Sequence, residues 1–170
     1  MSAQALAAEE QARANFYALL ARLFYAPPDR ELLETLAAAD EIAGAGDQIE
    51  LARVWQELKT AAAAADADAA REEYESVFIG TGKAEVTLYT SAYTTRNAAH
   101  NSLVQIRDFL DAQGLGRKQS VHEPEDHIAA LCDVMRHLVM RGDAAAQREF
   151  FSLFIQPAAA SLCDAITGCQ

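Results

Sequence analysis

The sequence predicts an all-α fold, a single compact helical bundle with one long irregular loop in mid-chain, and three observations carry the prediction. Alanine supplies 37 of the 170 residues; it has the highest helix propensity and is small enough to let helices approach closely. Apolar residues recur at helical spacing along nearly the whole chain, and no alternating run long enough for a strand occurs. Helix-starting and helix-stopping residues fall between the periodic stretches rather than within them. At this length one domain, 1–170, is expected. It is large enough to hide roughly 70% of the unfolded chain's surface, so neither disulfides nor a structural metal is required for stability.

The elements follow in order. Ser2 is placed to cap a first helix whose apolar positions are Phe16, Leu19, Leu20, Leu23 and Phe24, and Pro27-Pro28 ends it. Asp29 caps a short second helix bearing Leu32, Leu33 and Leu36, which Gly44 and Gly46 close off. A third helix is expected from Asp47, with Ile49, Ala52, Trp55, Leu58 and Ala62 on one side. The fourth starts at Asp66 or Asp68 and presents Ala70, Tyr74, Val77 and Phe78.

Between about residues 80 and 94 the pattern fails. The stretch contains Gly80 and Gly82, several threonines and no helical stripe, so it reads as a long connection and a hinge. Helical order returns with Ala99, Leu103, Ile106 and Leu110 and stops at Gly114, before a basic loop. A sixth helix is expected to open at Glu123-Pro124 and carry Ile128, Leu131, Met135 and Leu138, with Gly142 at its end. Asp143 starts the last helical region, with Phe150, Phe151, Phe154, Leu162 and Ile166, and Pro157 is expected to kink or split it.

Composition excludes several function classes. The net charge is −11, which sets the surface against nucleic acid. Residues 1–80 carry 15 acidic and 6 basic side chains, residues 81–170 carry 10 and 8, so the first half suits a basic partner as well as solubility. Cys132, Cys163 and Cys169 form no Cys-x-x-Cys pair, which fits a reduced, cytoplasmic setting. The N-terminus lacks the pattern of an export signal, and no uninterrupted apolar run approaches a membrane span.

Catalytic and metal patterns are weak. His122 and His127 stand i, i+5 with Pro124 between them, which spreads them about 140° apart on a helix and away from the zinc-binding H-E-x-x-H spacing. Cys132 and Ser91 have no local base, and no phosphate-cradling loop occurs, so no enzymatic activity, metal or cofactor is expected. Two polar constellations remain. Around Pro124, helical register places His127 beside the buried stripe and turns Asp126 outward with Ala130, Asp133 and His137. In the loop, Tyr89-x-Ser91-x-Tyr93 would share one side of an extended segment.

Taken in order, these pieces resemble the TorD/DmsD/NarJ family of molybdoenzyme-specific chaperones. The resemblance is carried by Leu23-Phe24-Tyr25-x-Pro27-Pro28, by Glu73-Tyr74-x-x-x-Phe78-x-Gly80-x-Gly82, and by Tyr89-x-Ser91-x-Tyr93. It continues in Glu123-Pro124-x-Asp126-His127 before an apolar helix and in Phe150-Phe151-x-x-Phe154-x-x-Pro157. Where the family often has prolines in the glycine loop and before the first tyrosine, this chain has Thr81 and Thr87-Leu88.

The resemblance implies a cytoplasmic all-helical chaperone that binds the apo catalytic subunit of a molybdenum-cofactor oxidoreductase, often through its twin-arginine leader. Asp126 is then the first candidate for the leader's arginines, with Glu123 and Glu125 nearby, and His127, Tyr89, Ser91 and Tyr93 shape the groove. It further implies a monomer able to form domain-swapped homodimers through the hinge. The alternative is a helical adaptor without leader selectivity.

Overall fold

A computed structural model describes residues 7–42, 48–94, 102–116 and 123–169. The fold is all-α. Helix α1 (Ala8–Tyr25) is followed by α2 (Arg30–Ala37), α3 (Ile49–Ala64) and α4 (Ala67–Tyr74), which runs on into a π-helical turn, Glu75–Ile79. After the loop, with a single 3-10 turn at Thr90–Ala92, come α5 (Ser102–Ala112), α6 (Ile128–Met140), α7 (Ala144–Phe150), a second π turn, Phe151–Ile155, and α8 (Gln156–Thr167). The expected starts at Ser2 and Asp47, and Ala99, Gly44, Gly46 and His122, lie outside the described residues.

Local chemistry sets the ends. Asp29 caps α2, its carboxylate accepting from the Leu32 N–H at 2.8 Å and from Arg22 at 2.8 Å. Those donors hold the Asp29 carboxyl below the usual carboxylate range. Asp66 caps α4 through Ala69 N–H at 3.0 Å, and Asp143 caps α7 through Ala146 N–H at 3.0 Å. Gly142, at φ +69°, terminates α6 in the left-handed conformation.

Among the described residues two clusters form the core. The larger gathers α6 (Leu131, Met135, Leu138) with Ile106 and Leu110 of α5, Phe150, Phe154 and Leu162 of the last rod, and Val86 and Leu88 of the loop. The smaller joins Leu33 and Leu36 of α2 to Ala62 of α3, with Trp55 and Leu58 against them. Helix α1 serves both. Tyr17, Ala21 and Phe24 pack on the larger cluster while Leu19 and Leu23 pack on the smaller, and Phe16 meets Trp55 edge-on at 5.5 Å. A helix wedged between two clusters needs more than one apolar stripe. Leu20 and Ile49, expected inside, are exposed.

Pro157 does not split the last rod. It sits in the first turn of α8, and the wide turn Phe151–Ile155 just ahead of it absorbs the change in the hydrogen-bond ladder, so the helix continues. The rod Ala144–Thr167 spans 24 residues, and an 18-residue stretch of it reaches a mean hydropathy of 1.3, long and apolar enough by those measures to cross a membrane. In this structure Phe150, Phe154, Ile155, Ala158 and Leu162 are buried in the protein's own core.

Candidate functional site

The two polar constellations meet. The loop lies against the turn before α6: Thr90 N–H and hydroxyl both donate to the Asp126 carbonyl, at 2.9 and 3.2 Å, and Ile128 N–H donates to the Leu88 carbonyl at 2.8 Å. Tyr89 and His127 face each other in an isolated antiparallel bridge, their rings 5.3 Å apart and nearly perpendicular. The Tyr89 hydroxyl donates to Glu123 Oε2 at 2.6 Å. That bond, with burial added, pushes the phenol up to about 12.

This pairing overturns three local expectations. Helix α6 starts at Ile128, not at Glu123-Pro124, because His127 is its N-cap: its Nδ1 accepts the Ala129 N–H at 3.2 Å. Residues 123–127 form turns, so the helical register that turned Asp126 outward does not extend to it. Asp126 is only 2% exposed. Nor is the Tyr-Ser-Tyr segment extended throughout, since the 3-10 turn covers Thr90–Ala92. Tyr93 donates to the Thr87 carbonyl at 2.8 Å and packs on the core, fastening the loop to itself. Ser91 offers its carbonyl to the Thr94 hydroxyl at 3.3 Å.

Beside this junction opens a groove of about 550 Å³ between the end of α1, the end of α5 and the outer face of α6. Ala21, Leu110, Leu115, Ala129, Ala130 and Val134 give it an apolar floor. Glu123, Glu125 and Asp133 stand on its walls with His127 and His137, against one guanidinium among the described residues, Arg22. Arg22 is itself tied to Asp29 and to the carbonyls of Ala26 and Pro27, and Arg107 holds Glu125 Oε2 at 3.0 Å. Among the described residues, none of the groove's carboxylates comes from the acidic stretch 1–80.

Of the residues singled out in the sequence, Glu123, Glu125 and His127 line the groove. Tyr89 supports it through Glu123, Asp126 supports it through its backbone, and Ser91 and Tyr93 stand apart from it. Sequence reasoning missed Asp133, Val134, His137, Arg22 and Tyr25 as groove residues. The signal for two of them was present: Asp133 and His137 share the outward face of α6 with Ala130.

The comparisons with known proteins agree with the motifs. Residues 45–164 match the family described as "Nitrate reductase delta subunit". The chain belongs to this family. The TorD/DmsD/NarJ resemblance read from the motifs is thereby upheld. An 85-residue stretch, 49% of the chain, is 27% identical to "Chaperone protein TorD" of Vibrio cholerae serotype O1 (strain ATCC 39541 / Classical Ogawa 395 / O395). The aligned part spans 39% of that relative's length. In this member of the family Cys132 is buried, and burial pushes its thiol up to about 12, so it is neither a nucleophile nor a thiolate near neutral pH.

His127 yields a pH prediction. Burial lowers its pKa below the ordinary 6.5, against the opposing pull of Glu123 and Asp126. Protonation would also convert Nδ1 from acceptor to donor, abolish the cap, and set a cation at a helix N-terminus. As pH falls, the unfolded chain takes up this proton first, so the stability that rests on neutral His127 is complete above about pH 7 and is lost as pH drops through 6.5 towards the native value. Urea midpoints at about pH 7.5 and 5.5 should therefore fall for the wild type and change much less for His127→Gln. Equal pH dependence in both proteins would refute the assignment.

Proposed function

We propose that this protein is a cytoplasmic chaperone, not an enzyme, dedicated to the apo catalytic subunit of a molybdenum-cofactor oxidoreductase, and that the groove receives the subunit's twin-arginine leader. The observation that carries the reading is the pairing of an apolar floor with three carboxylates against one arginine among the described residues, at the junction built by the Tyr89 loop and the Glu123–His127 turn. A twin-arginine leader has the matching chemistry. Its apolar stretch covers the floor, and its two guanidiniums form charge-assisted hydrogen bonds with Asp133, Glu123 and Glu125.

Each of those carboxylates already has a partner within the protein. A carboxylate has lone pairs for several donors, so an incoming guanidinium adds to these contacts. Asp126 and His127 hold the turn that aims the acidic wall, while Tyr89 orients Glu123. Occupying the leader until the cofactor is inserted would delay export of an incomplete enzyme. The curated relative's chaperone name supports the same reading.

Calorimetric titration of a twin-arginine leader peptide tests it. Wild type should bind, Asp133→Asn and Glu125→Gln should each weaken binding about tenfold, and a peptide with lysines for both arginines should bind less tightly. Unchanged affinity in both variants would remove the acidic wall from the leader site. Binding indifferent to the arginine pair would point to a helical adaptor instead.

A further inference from the structure

A second groove, of about 390 Å³, lies where the first half of α1 meets α6 and α7. Its character is opposite to that of the leader groove. Arg13 and Tyr17 of α1, Met135 of α6, and Ala144, Gln147, Arg148 and Phe151 line it, two guanidiniums and no carboxylate among the described residues, in a chain whose net charge is −11.

The polar groups are held in place. Gln147 is 5% exposed; its Nε2 donates to the Leu138 carbonyl at 3.3 Å and its Oε1 accepts from Arg13 Nη2 at 3.0 Å. A buried amide with both ends engaged therefore fixes the Arg13 fork. The other branch, Nη1, holds the Glu10 carboxylate at 2.7 Å, so a carboxylate already occupies part of this position from the rim. Arg148 is exposed and makes no ion pair among the described residues, and the Tyr17 hydroxyl makes no hydrogen bond among them. Phe151, 37% exposed, supplies an apolar shoulder.

We infer that this groove is a second binding site, for an acidic peptide segment in which a carboxylate sits beside an apolar side chain. The carboxylate lies between Arg13 and Arg148 with the Tyr17 hydroxyl as a further donor, and the neighbouring side chain covers Phe151. Charge complementarity selects the occupant: the groove repels the basic leader that the acidic groove attracts, so one chain can hold two oppositely charged segments at once. Glu10 acts as an internal competitor that the incoming acid displaces.

The test uses the full chain and fluorescence anisotropy with a short labelled peptide alternating Glu with Leu and Phe, beside its counterpart with Gln for Glu. The Glu peptide should bind about tenfold more tightly than the Gln peptide, and Arg148→Glu, at an exposed position, should weaken it about tenfold. Glu10→Gln should tighten binding a few-fold by freeing Arg13, a gain no folding defect can imitate. Asp133→Asn should leave this affinity unchanged, which separates the result from the leader titration. No binding by wild type, equal binding of both peptides, or no effect of Arg148→Glu would overturn the proposal. So would loss of the peptide to equimolar inorganic phosphate, which would mark a simple anion site.

Discussion

Phe150→Ala is expected to cost about 3–5 kcal/mol and to lower the melting temperature by roughly 10 °C. Phe150 is fully buried, and its ring contacts Phe109 and Phe154 at 5.0 Å each, with Phe109 and Phe154 6.0 Å apart. The three rings bind α5 to the last rod at the start of a π turn. Truncation removes the transfer energy of the ring and leaves a cavity that neighbouring helices, held by Leu138 and Met135 on the facing side, can only partly close. Thermal and urea unfolding provide the measurement. A melting temperature within about 2 °C of wild type would mean that the aromatic trio is not the centre of the core.

Gly80→Ala is expected to cost about 2–4 kcal/mol, an outsized effect for adding one methyl group. Gly80 has φ +63°, which side chains disfavour, and a Cβ there would stand 2.3 Å from the Lys83 carbonyl oxygen and 2.7 Å from its carbon. Both are backbone atoms, so no rotamer change relieves the clash. The turn would have to open, breaking the 2.7 Å bond from Gly80 N–H to Glu75 that closes the first π turn, and disturbing the nearby Val86–Val77 bond at 3.0 Å that seats the loop. Gly82, at φ +111° with open space around it, provides the control: Gly82→Ala carries conformational strain alone and should cost about 1–2 kcal/mol. Equal costs at the two positions would show that the Lys83 contact contributes nothing. Because the displaced loop carries Leu88, Tyr89 and Thr90, Gly80→Ala should also weaken leader binding where Gly82→Ala does not.

The same loop shows how a family motif divides between scaffold and contact. Tyr89, Asp126 and His127 are spent largely on each other's positions, through the Tyr89–His127 bridge, the Thr90–Asp126 bonds and the cap on α6. The groups that face the groove beside them are Glu123, Glu125 and Asp133, the contacts the proposed leader site would use. The hinge reading of residues 80–94 acquires a physical meaning here as well. Domain exchange through this segment would have to break the Leu88–Ile128 and Thr90–Asp126 bonds and withdraw Val86 and Leu88 from the core. Exchange would re-form the same contacts between two chains, so light scattering should show a dimer that grows with concentration, and a single monomer mass over a wide range would refute the hinge.

By itself the sequence determined the helical class, the caps at Asp29 and Asp143, the start of α4 at one of Asp66 and Asp68, the stop at Gly142, most of the α6 core stripe and the family. These depend on propensity, local hydrogen bonding and periodicity, all of which act over a few residues. It also placed Ala130, Asp133 and His137 on one outward face, because that register lies wholly inside a real helix. Only the tertiary structure decided where α6 begins, that Asp126 is buried, and that a basic groove on one side of the bundle is matched by an acidic one on another. Those outcomes rest on partners far away in the chain: the Leu88 carbonyl waiting for Ile128 N–H, Thr90 on the Asp126 carbonyl, and Gln147 on Arg13, 134 positions earlier. A residue's helical register can be counted along the sequence, but its burial depends on what the rest of the chain brings against it.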